Sequence, residues 1–255
     1  MSVQARSKDL ISGSVFEAAS TTQKHSLGTR VHIGDRSFVY VSSKIAAVAG
    51  VMVSAPVTNN SIVTVAATYF GADLATAPIA TEGGAIGDLK VRIYGITLAA
   101  NALAEGYLNI SVTPGEGHLY AVKSNEVITT ATSGLLTLYE PIRVALTNAS
   151  AGYTVYSPYK ECIACPAGGA ALPLGVPVVA AAGTDEYFFW IQTWGPASCK
   201  SDQTAHPTPG LPAHMSNDHA GELDTALGAT MPTVGIGMST DTVALFDCYY
   251  LTLSR

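Results

Sequence analysis

Tyr187-Phe188-Phe189-Trp190-Ile191-Gln192-Thr193-Trp194-Gly195-Pro196-Ala197 sets aromatic and β-branched side chains in a row and then meets a glycine and a proline. Such side chains fit a pleated, buried surface, whereas proline has no N–H to give to a ladder and glycine takes turn geometry at low cost. The stretch reads as a buried strand that stops at Gly195-Pro196. In a regular strand Phe188, Trp190, Gln192 and Trp194 share one face. A polar turn, Gly183-Thr184-Asp185-Glu186, leads into it, and Gly34-Asp35-Arg36-Ser37 leads in the same way into Phe38-Val39-Tyr40-Val41.

Working outward, strand character recurs in Val51 to Val53, Ile62 to Tyr69, Leu89 to Ile96, Tyr107 to Val112, Leu119 to Val122 and Leu135 to Tyr139. Ile142 to Leu146, Tyr153 to Ser157 and Val243 to Leu253 follow. Alternation is clearest in Tyr107 to Val112, where Leu108, Ile110 and Val112 fall on one face. Gly, Pro, Asn and Ser clusters separate many of these runs. Helical candidates are few and short: Ser14 to Ser20, Leu98 to Ala104 and Gly221 to Leu227. The pattern predicts an all-β fold, a sandwich or barrel-like body of many short strands. An N-terminal arm is expected over 1–26, a β-rich body over 27–255 with room for two lobes divided near 150–185, and a projecting His/Pro loop over 201–219.

The chain is 48% hydrophobic and only 13% charged, about half the charge of an ordinary soluble domain. A surface so poor in charge suits burial against other protein, where long charged side chains oppose assembly, and it equally suits a sturdy secreted β domain. The net charge of −6 argues against nucleic acid as a partner. Residues 1–44 carry +3 and the remainder −9. The basic excess of the arm, with Arg6, Lys8 and Lys24, fits docking to an acidic surface and fits a solvated terminus as well. Met1 to Asp9 has no apolar core of a signal peptide, and the apolar run from Gly168 to Gly183 is broken by Pro173 and Pro177, so cytoplasmic synthesis and no membrane span are expected.

Cys162-Ile163-Ala164-Cys165 has the spacing of a redox pair or half a zinc site, with Cys199 and Cys248 elsewhere. Pro166-Ala167-Gly168-Gly169 follows instead of a helix, and no second knuckle accompanies the lone cysteines, which favours reduced core thiols. His206, His214 and His219, with Asp202 and Asp218, offer transition-metal donors, but Pro207, Pro209 and Pro212 keep them from one helix face. An exposed, partner-facing loop is expected there, with no metal, cofactor or catalytic residue. Glu82, Glu105, Glu116, Asp185, Glu186 and Asp241 fall in apparent turns and single out no glycosidase-type pair.

Leu27-Gly28-Thr29-Arg30 before an aromatic strand, the stretch from Tyr187 to Ala197, and the closing runs Pro232 to Met238 and Val243 to Leu253 resemble small tailed-bacteriophage virion proteins that decorate or cement the capsid. The His/Pro stretch at 201–219 departs from that pattern, which has a short turn there. The resemblance implies a non-enzymatic structural protein at the capsid surface, synthesised in the host cytoplasm. It would sit as a homotrimer at local threefold positions and bridge copies of the major capsid protein. Arg6, Lys8, Lys24, His206, His214 and His219 are the candidate partner-binding residues. A tail or fibre adhesin and a virion-associated hydrolase are the alternatives.

Overall fold

The computed structural model describes residues 14–58, 61–62, 64–70, 83–94, 97–129, 133–147, 149–168, 171–202, 206–224, 231–239 and 245–254. The chain divides into two compact units, Met1–Ile62 with Pro158–Arg255, and Val63–Ser157. The second is thus inserted in the first. It begins at 62/63 and ends at 157/158. Arg6 and Lys8 lie outside the described residues.

The first unit opens with a single 3₁₀ turn (Ser14–Phe16), then β1 (Arg30–Ile33), β2 (Arg36–Ser43), β3 (Val53–Ser54), β4 (Val57–Thr58) and β5 (Ser61–Ile62). The inserted unit supplies β6 (Thr64–Phe70), β7 (Lys90–Tyr94), β8 (Tyr107–Val112), β9 (Leu119–Asn125), β10 (Gly134–Leu138) and β11 (Ala151–Val155). The first unit resumes with β12 (Ile163–Ala164), β13 (Pro173–Pro177), β14 (Tyr187–Lys200), β15 (Pro212–Met215), β16 (Leu223–Asp224), β17 (Thr233–Gly237) and β18 (Phe246–Thr252). The all-β expectation holds. Among the described residues no helix is long and apolar enough to cross a membrane.

In the first unit ten strands form one sheet in the order β12-β3-β13-β14-β18-β17-β15-β16, with β2 also paired to β14 and β1 to β2. The aromatic strand β14 does not stop at Gly195-Pro196. It runs on to Lys200, with both residues in regular register opposite Leu251 and Tyr250 of β18, just past an irregularity at Thr193. Tyr187 to Trp194 pair with β2, the register shifts between Gln192 and Trp194, and Trp194 to Lys200 pair with β18. Gly195 takes φ +85°, where a Cβ would lie 2.5 Å from the Asp35 carbonyl. A side chain is excluded there by both backbone conformation and space. The buried Gln192 amide donates to the carbonyls of Trp194 (3.0 Å) and Pro196 (2.7 Å), so acceptors at the irregularity stay satisfied.

The bulge also separates the two tryptophans. Trp190 is 4% exposed and packs with Val15, Val31, Phe38 and Tyr40. Trp194 is half-buried and meets Tyr250 edge-on at 5.9 Å. Phe189 and Ile191 point into a second cluster with Val39, Val41 and Val53, and Ala197 and Cys199 into a third with Tyr249, Leu251 and Val234. Residues 14–26 depart from the expected free arm, because Val15 is fully buried beside Trp190 and Ser20 exchanges two backbone hydrogen bonds with Phe188.

The inserted unit is a closed six-stranded barrel, β10-β7-β6-β11-β8-β9, with β9 returning to β10. Val91, Ile93, Leu108, Ile110, Val122 and Leu136 are among the side chains filling it. Leu108 and Ile110 follow the expected alternation; Val112 is exposed, beside a register shift between Ala151 and Gly152. Two local readings change. Leu98 to Ala104 forms tight turns and no helix, since Asn101 (φ 58°) and Glu105 (φ 63°) are left-handed, and the buried Asn125 side chain accepts from Leu103 N–H and donates to the Ala99 carbonyl. Ile142 to Leu146 is irregular, tied by Ile142 N–H to the Asp88 carbonyl and Leu146 N–H to that of Gly84.

Replacing Trp190 with alanine is expected to cost about 3–5 kcal/mol, since a large core side chain is lost from an unyielding cluster. Trp194→Ala should cost less. Gly195→Ala should cost about 1–3 kcal/mol through strain at its left-handed backbone angle. Urea denaturation of the three variants checks the ranking, and equal losses for both tryptophans would refute the division of faces.

Candidate functional site

The segment 201–219, expected as a projecting loop, is partly woven into the large sheet. Pro212–Met215 is β15, paired with β17 and β16. Pro212 heads the strand, a position where a missing N–H is tolerated. His206 is half-buried, with Nδ1 3.4 Å from an oxygen of buried Asp247. His214 is half-buried on β15, with Nδ1 3.3 Å from the Met231 carbonyl and 3.4 Å from Thr233 Oγ1. Lys24 is exposed and pairs with exposed Glu17 at 3.3 Å, a contact of little energetic weight. These sequence-derived candidates therefore lie apart, each with a partner of its own.

His219 is different. Its Nδ1 lies 3.1 Å from Asp202 Oδ2 and 3.9 Å from Glu222 Oε2. Backbone hydrogen bonds bring these residues together across 20 positions of sequence. Asp202 N–H donates to the Leu223 carbonyl, Ser216 N–H to the Glu222 carbonyl, and Gly221 N–H to the Cys165 carbonyl. Gly221 (φ +72°) is pressed so closely on Val51 that a Cβ would lie 2.2 Å from its methyl. The turn carrying His219 and Glu222 is thereby fixed against the sheet. Asp202 and Asp218 were the acids visible beside the histidines in sequence; the structure keeps Asp202, leaves Asp218 exposed outside the cluster, and adds Glu222. The His219-x-x-Glu222 spacing is a weak signal, and only the turn at Gly221 makes it a pair.

Asp202 is 2% and Glu222 5% exposed, in a chain with little charge to spare. Buried carboxylates of like sign need compensation. Lys200 Nζ, from the last residue of β14, contacts Glu222 Oε1 at 2.6 Å. Ser216 Oγ donates to Asp202 Oδ2 at 2.7 Å and itself accepts from the N–H groups of Asp218 and His219. The hydrogen bond to Asp202 raises the His219 imidazole above its ordinary range, aided by the charges of Asp202, Glu222 and Asp218. Stability gained from this pairing is complete below the ordinary histidine pKa and fades as pH rises through the raised one.

The cysteines take no part. Cys162 packs with Val41, Val53 and Phe189, whereas Cys165 and Cys199 pack with Met52, Tyr249 and Leu251, so the Cys-x-x-Cys side chains diverge into separate clusters. Burial pushes all three thiols up, that of Cys165 to about 11, which disfavours the reactive thiolate. Cys248 is half-buried, 3.8 Å from Met238 sulfur. Another concavity of the first unit, about 310 Å³, lies beside Val176, Pro177, Gln192 and Pro196, with Arg36 as its charged lining residue. Arg36 is engaged by aromatic faces, its guanidinium 5.5 Å from the Phe16 ring centre and 5.6 Å from that of Phe38.

Removing Lys200 strands a buried carboxylate. Lys200→Met is expected to destabilise the chain by about 3 kcal/mol, the low end for breaking a buried pair because the lysine is partly exposed. Lys200→Met with Glu222→Gln should recover much of the loss. A double-mutant cycle by chemical denaturation checks this; purely additive losses would mean that the two groups are not coupled.

No protein-family model, no curated protein and no solved structure matches the chain.

Proposed function

We propose that the chain is a structural virion protein that binds the outside of a phage capsid and stabilises contacts between major capsid proteins, acting as a homotrimer without catalysis. The observation that carries this reading is an exposed surface rich in apolar side chains and poor in charge. Ile86, Leu119, Val127 and Tyr139 on the barrel, and Val48 and Leu172 on the large-sheet unit, are all solvent-exposed. Surface of this kind loses little side-chain entropy or charge solvation when another protein covers it. Capsid stabilisation asks for that physics alone: added buried area between capsomers, resisting internal pressure with no covalent step.

The resemblance in the glycine-threonine-arginine opening, the aromatic strand and the closing strands supports the same reading. Arg6 and Lys8 would extend it by attraction to acidic capsid surface, effective over a Debye length of about 8 Å at physiological ionic strength. Because Val15 is a core residue, the arm is tested by removing residues 1–13 and not the whole of 1–26.

Copy number in purified virions, by quantitative mass spectrometry, decides between the classes. Hundreds per particle are expected; a handful would assign the chain to the tail, as an adhesin or a hydrolase. Deletion of residues 1–13 should leave unfolding unchanged while weakening shell binding in a salt-dependent way. Unchanged occupancy at low and high salt would show that the body alone carries attachment.

A further inference from the structure

Asp202, His219 and Glu222 hold a feature that the ion-pair network does not explain. Glu222 Oε1 is engaged by Lys200, but Oε2 is buried with no hydrogen-bond partner among the described residues. His219 Nδ1 stands 3.9 Å from it, outside hydrogen-bonding range. A buried carboxylate oxygen left without a donor costs free energy, and a native fold seldom tolerates one without a reason. This oxygen faces the same small space as His219 Nδ1 and the Asp202 carboxylate, and the three donor atoms lie within 4.8 Å of one another.

We propose that Asp202, His219 and Glu222 bind one divalent transition-metal cation of the zinc class. Ligands about 2.1 Å from a tetrahedral ion stand about 3.4 Å apart, so the 3.1 Å and 3.9 Å separations bracket what the ion needs, and the third lies within 4.8 Å. One imidazole and two carboxylates form a nitrogen-oxygen set that suits zinc, with manganese or cobalt as substitutes. The surrounding contacts match those that hold metal ligands in place. Ser216 Oγ keeps its hydrogen bond to Asp202 Oδ2, and Lys200 holds Oε1 of Glu222 so that Oε2 is the oxygen presented. On binding, His219 releases its Nδ1 proton to solvent, offers the Nδ1 lone pair to the ion and keeps a proton on Nε2. The His219 side chain is half exposed, which gives the ion a path from solvent and leaves a coordination position for water.

The prolines that keep 201–219 from forming a helix do not bear on this arrangement, because the ligands come from the segment following β14 and from the turn before β16. A bound ion would tie these two segments together on the first unit. This proposal stands independently of the capsid reading.

The test uses the full-length chain, stripped with chelator, and zinc chloride as the probe in calorimetric titration near pH 7.5. About one zinc per chain is expected, and His219→Ala and Glu222→Gln should each weaken binding by more than about tenfold. His206→Ala and His214→Ala should leave it unchanged. Thermal melting of the wild type should rise with zinc and that of His219→Ala should not, since only a ligand that favours the native state shifts the midpoint. His219 is largely at the surface, so its variant is expected to fold, and tryptophan fluorescence reports whether it does. Should either variant unfold, cobalt substitution in the wild type decides, with visible absorption bands expected from a nitrogen-oxygen site and no thiolate charge-transfer band. No zinc uptake by the folded wild type, uptake that both variants retain, or a thiolate signature would each overturn the proposal.

Discussion

β14 is the constraint on which the first unit depends. Its side chains enter three separate hydrophobic clusters: Phe189 and Ile191 on one face, Trp190 on the other, and Ala197 and Cys199 beyond the bulge. A strand covered on both faces cannot slip by one residue without driving each set into the wrong cluster. Its ladder is equally committed, to β2 over the first half and to β18 over the second. The irregularity between Gln192 and Trp194 falls where β2 gives way to β18. Gly195, just beyond it, takes a left-handed backbone angle, and the Gln192 amide satisfies carbonyls of Trp194 and Pro196. This is the usual role of a bulge, which redirects a strand and changes its partner.

The same strand delivers charge to where the fold can use it. Lys200 ends β14, and Asp202 follows two residues later, tied by its N–H to the Leu223 carbonyl. In a chain with few charged residues, placing Lys200, Asp202, His219 and Glu222 together concentrates the electrostatics of this region in one small volume. Buried carboxylates there contribute little net stability, because desolvation offsets attraction. Their effect is on position: Ser216 and His219 of the turn meet Asp202, and Lys200 at the end of β14 meets Glu222.

The surface has a different character. Apolar side chains stand exposed on the barrel and on the large-sheet unit, and the exposed ion pair Lys24–Glu17 adds almost nothing to stability. A structural role in a larger assembly fits that surface, as proposed, because covering it removes apolar area from water while few charges must be desolvated.

The all-β class was legible because it rests on local chemistry: alternation in Tyr107 to Val112, aromatic and β-branched runs, and glycine and proline between them. Partner choice was not. Gly195-Pro196 reads locally as a stop, and stays in the strand because β18 takes up the pairing of β14 where β2 leaves off. Pro173 to Pro177 and Pro212 to Met215 look unsuited to strands, yet the sheet accepts them. Leu98 to Ala104 reads as a short helix, and the buried Asn125 amide holds it as turns. His219 and Asp202 were visible as donors, but their meeting with Glu222 depends on Gly221 pressing against Val51 and on backbone bonds from Asp202 to Leu223 and from Ser216 to Glu222. Residue type and spacing determined what each segment can do; which segments meet was decided by long-range pairing and packing, whose energies arise only once distant parts of the chain are in contact.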